Sequence, residues 1–331
     1  MADKIDIVIP WVDPSDPVWR KEKEKYSTNA TNQEDDRAIR YRDWDNLIYV
    51  FRSIDKFAPW VNCVHFVTYG HLPKWLNTDC TKLHIVNHKD YIPEKYLPVF
   101  SSHVIELNMN RIEGLSEQFI YFNDDIFLLR DTKPTDFFRD GLPCDVNIPN
   151  LIVPNLTNFS PIVFNSVGYI NKHFSKRNSM KSEPLKSFNP RYGFTGFARA
   201  LLFAPWSGYT GFFNHHLAVS YLKSTLDEVW NKEPEILEKT CLHRFRNNED
   251  VNQYIFRFWQ LASGKFAPNT LHGRYFKIST DNRKIISYIE KKKGRMICIN
   301  DDEFHGDFEI RKQEINLALK KLLPEKSRFE R

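Results

Sequence analysis

A chain of 331 residues can bury one large hydrophobic core or two modest ones, and 41% hydrophobic with 27% charged residues is ordinary for a folded soluble protein. The formal net charge of +5 suits anionic partners such as nucleotides, phosphates or an acidic membrane leaflet, and is too small and dispersed to indicate nucleic acid. The five cysteines stand apart from one another, which excludes a Cys-x-x-Cys metal or redox signature and argues against a disulfide scaffold.

The N-terminus enters a short apolar run rather than a signal-peptide core, and no stretch of about 18 apolar residues predicts a transmembrane helix. A cytoplasmic protein is expected, with the inner face of the cell membrane open to it.

Along the chain, Ile5-Asp-Ile-Val-Ile-Pro10 is β-branched and predicts a buried strand that Pro10 stops. Trp11 to Pro17 reads as a turn, and the charged segment from Arg20 to Asp36 as a short helix followed by a loop. Leu47, Val50, Phe51, Ile54, Phe57 and Ala58 recur at intervals of three and four, one apolar face of a helix that Pro59 should end. Val61–Thr68 and Lys82–Val86 read as strands. This alternation of strand and helix predicts an α/β fold with a mostly parallel central sheet flanked by helices.

Phe119-Ile-Tyr-Phe122 is a further strand that runs directly into Asn123-Asp124-Asp125. Near the other end, Met296-Ile-Cys-Ile299 runs into Asn300-Asp301-Asp302, so the same pattern occurs twice. Between them, Asn171–Arg191 is poorly patterned and rich in Lys, Arg, Ser and Asn, and reads as a long loop. His216 to Trp230, Val251 to Leu261 and Phe308 to Leu323 read as helices. No Gly/Ser linker divides the chain, so one domain with an elaborated middle is expected.

The acidic pairs carry the chemistry. In open α/β sheets the ligand crevice lies beyond the carboxyl ends of the strands. Carboxylates placed there can share a divalent cation with the oxygens of a diphosphate, and Mg²⁺ or Mn²⁺ favours such hard ligands. Asp124, Asp125, Asp301 and Asp302 fit that need. Asn and Asp also favour turns, but the recurrence after two apolar strands favours the metal reading. Asp13 and Asp16 follow the first strand and either join the crevice or satisfy a Pro-rich turn. His215-His216, at the start of an expected helix, offers a general base, and Arg244 and Arg246 offer planar forks for phosphate. The residues alone therefore point to a metal-dependent enzyme acting on a phosphorylated substrate.

Several segments resemble the Stealth family of hexose-1-phosphate transferases. The family includes bacterial capsule and cell-surface polysaccharide enzymes and the animal GlcNAc-1-phosphotransferase. Its first block resembles Ile5-Asp-Ile-Val-Ile-Pro-Trp-Val-Asp-Pro14. Its second resembles Arg40–Asp125, with Phe57-Ala-Pro-Trp-Val61, Leu97-Pro-Val-Phe-Ser-Ser102, Arg111-Ile-Glu-Gly-Leu-Ser116 and Phe119–Asp125. Its third resembles His215–Phe258 and its fourth Cys298-Ile-Asn-Asp-Asp302, which leaves 142–210 outside the blocks as a variable insert for acceptor recognition.

The resemblance implies a fold like that of nucleotide-sugar transferases. It also implies transfer of a hexose- or N-acetylhexosamine-1-phosphate from a UDP-sugar to a hydroxyl of a glycan or lipid-linked oligosaccharide, with release of UMP. A metal-dependent glycosyltransferase releasing UDP is the alternative. By position, Asp125 and Asp302 would hold or neighbour the Mg²⁺ or Mn²⁺ ion, with Asp124 and Asp301 beside them, and Arg246 would bind phosphate oxygens. His216 would take the acceptor proton, with Asp13 as the alternative base. Arg42, Arg111, Asn123 and Asn300 are expected to contact substrate.

Overall fold

The computed structural model describes residues 4–27, 34–35, 42–153, 155, 159–301 and 307–331. Strands β1 (Ile5–Pro10), β2 (Val64–Thr68), β3 (Leu83–Asn87) and β4 (Gln118–Tyr121) run parallel in the order β3-β2-β1-β4. β5 (Ile126–Leu128) follows β4 after four residues, Phe122 to Asp125, and leaves this sheet. A later strand, β6 (Val219–Leu222), closes the edge antiparallel to β4. A second sheet pairs β5 antiparallel with β8 (Met296–Asn300), which in turn pairs parallel with β7 (Gly273–Lys277). The chain is α/β, with mixed sheets flanked by helices, as its periodicity predicted.

β1, β2 and β4 are covered on both faces, which is why they read as continuous apolar runs rather than as alternation. Helix α1 spans Pro17–Ser27 and buries Trp19. Helix α2 spans Leu47–Phe57 and buries the predicted stripe of Leu47, Val50, Phe51, Ile54 and Phe57. Burying each such side chain stabilises the fold by about 1.5–3 kcal/mol. On the same helix, the Ser53 hydroxyl accepts from the Leu128 backbone N–H at 3.1 Å, and the Arg52 guanidinium forks the Glu330 carboxylate at 2.9 and 2.7 Å. One helix thus joins the second sheet to the C-terminal segment.

Two expectations change. Residues 171–191 are not a loop: they finish helix α3 (Ser160–His173) and form α4 (Lys176–Ser182) and α5 (Pro184–Ser187). Polar tertiary bonds hold this segment instead of an apolar stripe. The Ser175 side chain caps α4, and the Ser179 hydroxyl donates to the Ala262 carbonyl at 3.0 Å. Second, residues 216–230 do not start as a helix. β6 comes first, because pairing with β4 captures Val219–Leu222, and the helix spans Lys223–Lys232. The central sheet, parallel apart from this edge strand, is mostly parallel as expected.

Helix α8, Tyr254–Ser263 (with α6, Gly193–Phe203, and α7, Lys223–Lys232, before it), replaces the predicted Val251–Leu261 element. It carries a fully buried arginine. Arg257 forks the Asp145 carboxylate at 2.7 and 2.8 Å and donates to the Phe213 carbonyl at 2.9 Å. Burial alone would raise the Asp145 carboxyl, but the Arg257 charge and the hydrogen bonds from His215 and Arg257 hold it well below the usual carboxylate range. Removing one partner of such a pair strands a buried charge. Arg257→Met should therefore cost about 3–5 kcal/mol in urea unfolding at pH 7. A loss under about 1 kcal/mol, within the range of an exposed pair, would show that the pair holds nothing together.

Candidate active site

β4 ends at Tyr121, and the chain turns through Asn123, Asp124 and Asp125, with the Ile126 N–H donating to the Asn123 carbonyl at 3.2 Å. β5 then pairs antiparallel with β8, so the end of β8 arrives beside this turn. The Ile299 N–H donates to the Asp125 carbonyl at 2.9 Å. Two motifs separated by more than half the chain therefore face one cavity.

The cavity measures about 280 Å³, close to the lower bound for small-molecule sites. Asn123, Asp124, Asp125, Asn300 and Asp301 form one side of it, and Arg42 and Arg246 also line it. Arg42 reaches Asp301 at 3.4 Å and lies over the Phe308 ring at 4.9 Å. The Arg246 guanidinium donates to the Ser102 hydroxyl at 2.9 Å. Its backbone is held from behind by Asp250, a fully buried carboxylate bonded to His103 at 2.7 Å, His243 at 2.6 Å and the Asn247 N–H at 2.9 Å.

Burial pushes the Asp124 carboxyl up to about 7, with the Asp125 and Asp43 charges adding to it, and pushes Asp125 up to about 6. The Cys298 thiol donates to Asp125 Oδ2 at 3.4 Å, while Asp125 Oδ1 is buried with no hydrogen-bond partner among the described residues. Two crowded carboxylates with an unused oxygen fit a hard divalent cation, which often takes one or two carboxylates and completes its shell with substrate phosphates and water. No cluster of three His, Cys, Asp or Glu side chains suited to a metal occurs among the described residues. The expected ligand Asp302 lies outside the described residues.

The segment 3–31 matches the family description Stealth protein CR1, conserved region 1, and 40–144 matches Stealth protein CR2, conserved region 2. The capsular polysaccharide phosphotransferase WcwK of Streptococcus pneumoniae is 41% identical over 100% of both chains. The receptor polysaccharide phosphotransferase WefC of Streptococcus oralis is 38% identical over 99% of both. The chain belongs to the Stealth family. A third relative, the exopolysaccharide phosphotransferase cps2G of Lactiplantibacillus plantarum, is 38% identical over 99% of this chain and 96% of its own. Like these Stealth relatives, the chain is an enzyme that transfers a phosphate-containing group. Among solved structures, the galactosyltransferase LgtC aligns over 96% of this chain and 95% of its own with 9% identity and a TM-score of 0.39, too loose a likeness to bear on the site.

Three expected site residues of this Stealth chain lie outside the cavity lining. The Asp13 carboxylate accepts from the Ser15 N–H and hydroxyl at 2.8 and 2.6 Å, which is the turn role, and it faces a separate open groove with Asp16 and His71. The Arg111 guanidinium bonds the Asn108 side chain and lies over the Trp230 ring at 4.2 Å. His216 has a left-handed backbone, φ 50°, and its ring stacks on Tyr275 at 4.6 Å. The Asn300 amide donates to the Tyr275 hydroxyl at 3.2 Å, so His216 stands one ring behind the cavity wall. Burial, with His215, Lys277 and Arg257 nearby, lowers its imidazole to about 4. Its neighbour His215 accepts from the Leu217 N–H at Nδ1 and directs Nε2 toward Asp145 at 3.5 Å.

Other lining residues gave no periodic or motif signal. Asp43 has its carboxyl raised by burial, further modulated by its neighbours. Glu106 is held by the Tyr121 hydroxyl at 3.1 Å. His88 is pushed down to about 3 by burial and by His71, and its Nδ1 is buried without a hydrogen-bond partner among the described residues. Trp19 and Phe100 meet edge-on at 5.9 Å on the same lining.

The carboxylate pair gives a stability signature. Both folded values lie above the ordinary 3.8, so the native state binds the extra protons. The stabilisation is fully present below pH 3.8 and is lost as pH rises through about 6 to 7. Without divalent cations, this pair should lower the melting temperature over that interval, and saturating Mn²⁺ should restore it at pH 7. The Asp124→Asn, Asp125→Asn double variant should lose both responses in a pH series of melting curves. An unchanged Mn²⁺ response in that variant would place the cation elsewhere.

Proposed function

We propose that the chain transfers a hexose- or N-acetylhexosamine-1-phosphate from a UDP-sugar to a hydroxyl of a glycan or lipid-linked oligosaccharide, in capsular or cell-surface polysaccharide synthesis inside the cell. The observation that carries this reading is the meeting of Asp124 and Asp125 with Arg42 and Arg246 in one cavity. That set offers hard oxygen ligands and guanidinium forks within one cavity, the complement of a diphosphate. The phosphotransferase names of full-length relatives favour it over transfer of the sugar alone.

In the proposed reaction the acceptor oxygen bonds to the sugar-side phosphorus, and the bond from that phosphorus to the bridging oxygen breaks. UMP leaves, and the anomeric carbon is untouched. Phosphoryl chemistry of this kind asks for positioning and charge stabilisation more than for a covalent enzyme intermediate. Asp124 and Asp125 would hold Mg²⁺ or Mn²⁺, which when bound neutralises charge on the diphosphate. Arg246, fixed by Ser102 and by the Asp250 hub, binds phosphate oxygens, and Asn123 and Asn300 orient the donor. Asp43, a lining carboxylate with a raised carboxyl, is better placed to accept the hydroxyl proton than Asp13 or His216. His216 then acts indirectly, by bracing Tyr275 and Asn300.

Incubation with a panel of UDP-sugars, an acceptor glycan and Mg²⁺ should release UMP in step with a phosphodiester product. Stoichiometric UDP with a glycoside would end the phosphotransfer reading in favour of a glycosyltransferase. In the same assay Asp125→Asn and Arg246→Ala should each lose about 10²-fold or more in kcat, by analogy with removal of a single transition-state donor. A near-normal rate in both would remove the cavity from the mechanism.

A further inference from the structure

Helix α6 is amphipathic in the reverse of the usual sense. Its buried positions are small: Gly196 and Ala200 face inward, following Tyr192 at the preceding turn. A Cβ at Gly196 would come within 2.8 Å of the Tyr192 Cβ and 2.9 Å of the Ile148 Cδ1, so the helix sits close against the body. The buried Lys176 ammonium ties down its C-terminal end through the Phe203 carbonyl and, at 3.2 Å, the Trp206 carbonyl. The large apolar side chains point outward. Phe194 is 87% exposed and Leu202 65%, with Phe197, Leu201 and Trp206 also exposed.

At 100° per residue, positions 194, 197, 198, 201 and 202 make one stripe opposite 196 and 200. Leu185, 76% exposed on α5, and the edge-on contact of Phe188 with Phe197 extend the apolar area beyond the helix. Exposed apolar surface of this extent marks an interaction site rather than the scatter normal on a soluble protein.

The charge around it indicates the partner. From 171 to 210 the chain carries Lys172, Lys176, Arg177, Lys181, Lys186, Arg191 and Arg199 against Glu183 as the sole carboxylate. Arg177, Lys181 and Arg191 are exposed. Apolar side chains on a helix, in a segment whose exposed charges are mostly cationic, match the boundary between acyl chains and anionic headgroups. No helix among the described residues is long and apolar enough to cross a membrane, so contact through this face would be interfacial.

We propose that α6 and the adjoining α5 form a membrane-docking face that lays Phe194, Leu201, Leu202 and Trp206 into the surface of an anionic phospholipid bilayer. The inference stands apart from the choice of donor and acceptor, and neither conserved region matched above contains these residues.

Flotation of the full chain with two kinds of vesicle tests it: phosphatidylcholine mixed with phosphatidylglycerol, and phosphatidylcholine alone. The protein should float with the mixed vesicles, bind the neutral ones far more weakly and be released by high salt. Phe194→Ser with Leu202→Ser, both on exposed positions, should reduce vesicle binding at least about tenfold at an unchanged melting temperature, since each loses burial of an apolar side chain. Arg177→Glu with Lys181→Glu should reduce binding to mixed vesicles alone. The proposal is overturned if the wild type stays unbound, or if the serine variant floats as well as wild type. A dimer in sedimentation velocity that the serine substitutions dissociate, with no vesicle binding, would assign the face to a second copy of the chain and equally overturn it.

Discussion

The antiparallel pairing of Ile126–Leu128 with Met296–Asn300 is the constraint from which the site follows. Antiparallel strands bring the end of one to the beginning of the other, so the residues after β8 must fall beside the residues before β5. The register, Cys298 opposite Ile126, directs the Cys298 thiol at Asp125. A slip of one residue would turn every side chain of β8 to the other face, take the Cys298 thiol away from Asp125 and force the packing on both buried faces to be remade. The core therefore specifies the site: Phe127, Leu128 and Ile297 cannot be buried together without the two acidic turns being neighbours.

That arrangement carries a cost that the packing around it must absorb. Asp124 and Asp125 are adjacent, Asp124 is open to the cavity and Asp125 half-buried, both carboxyls are raised, and among the described residues neither is paired with a guanidinium in the way that Asp145 is paired with Arg257. The contrast separates two uses of an acid. Asp145 and Asp250 are saturated with donors, and their carboxyls are held low because their purpose is to fix the chain. The Asp124–Asp125 pair is left unsaturated, the condition expected where charge is to be met by something that arrives.

What could be read from sequence divides along the same line. Periodicity gave the Leu47–Phe57 helix and the strands at 5–10, 64–68 and 118–121, because in each the buried face is made by near neighbours in the chain. The strand-end position of Asn123-Asp124-Asp125 and its echo at Asn300-Asp301 were legible for the same reason. The expected helix at residue 216 failed because β6 is set by a partner about a hundred residues away, which no local pattern encodes. Segment 171–191 was misread because caps and side chain–carbonyl bonds, rather than apolar spacing, hold its helices. Asp43, Glu106 and His88 are single polar residues without a periodic signature, and only the closed fold brings them to the cavity. Asp13 and Arg111 sit in segments that resemble family blocks, yet one shapes a turn and the other packs on Trp230.

The character of the lining bears on how such a site could work. Its described residues include carboxylates, amides, guanidinium groups, a neutral imidazole and an aromatic edge, but no lysine or cysteine. Groups of this kind hold and polarise a phosphorylated ligand. A direct displacement then depends on how firmly the walls are placed. The two guanidinium groups differ in this respect. Arg246 is fixed through Ser102 and, behind its own backbone, through the Asp250 hub that joins His103 and His243. Arg42 meets Asp301 at 3.4 Å from a position over Phe308, so its place depends on the turn that follows β8. The cation fixed through Ser102 and its own backbone suits the phosphate whose geometry must be held through the reaction.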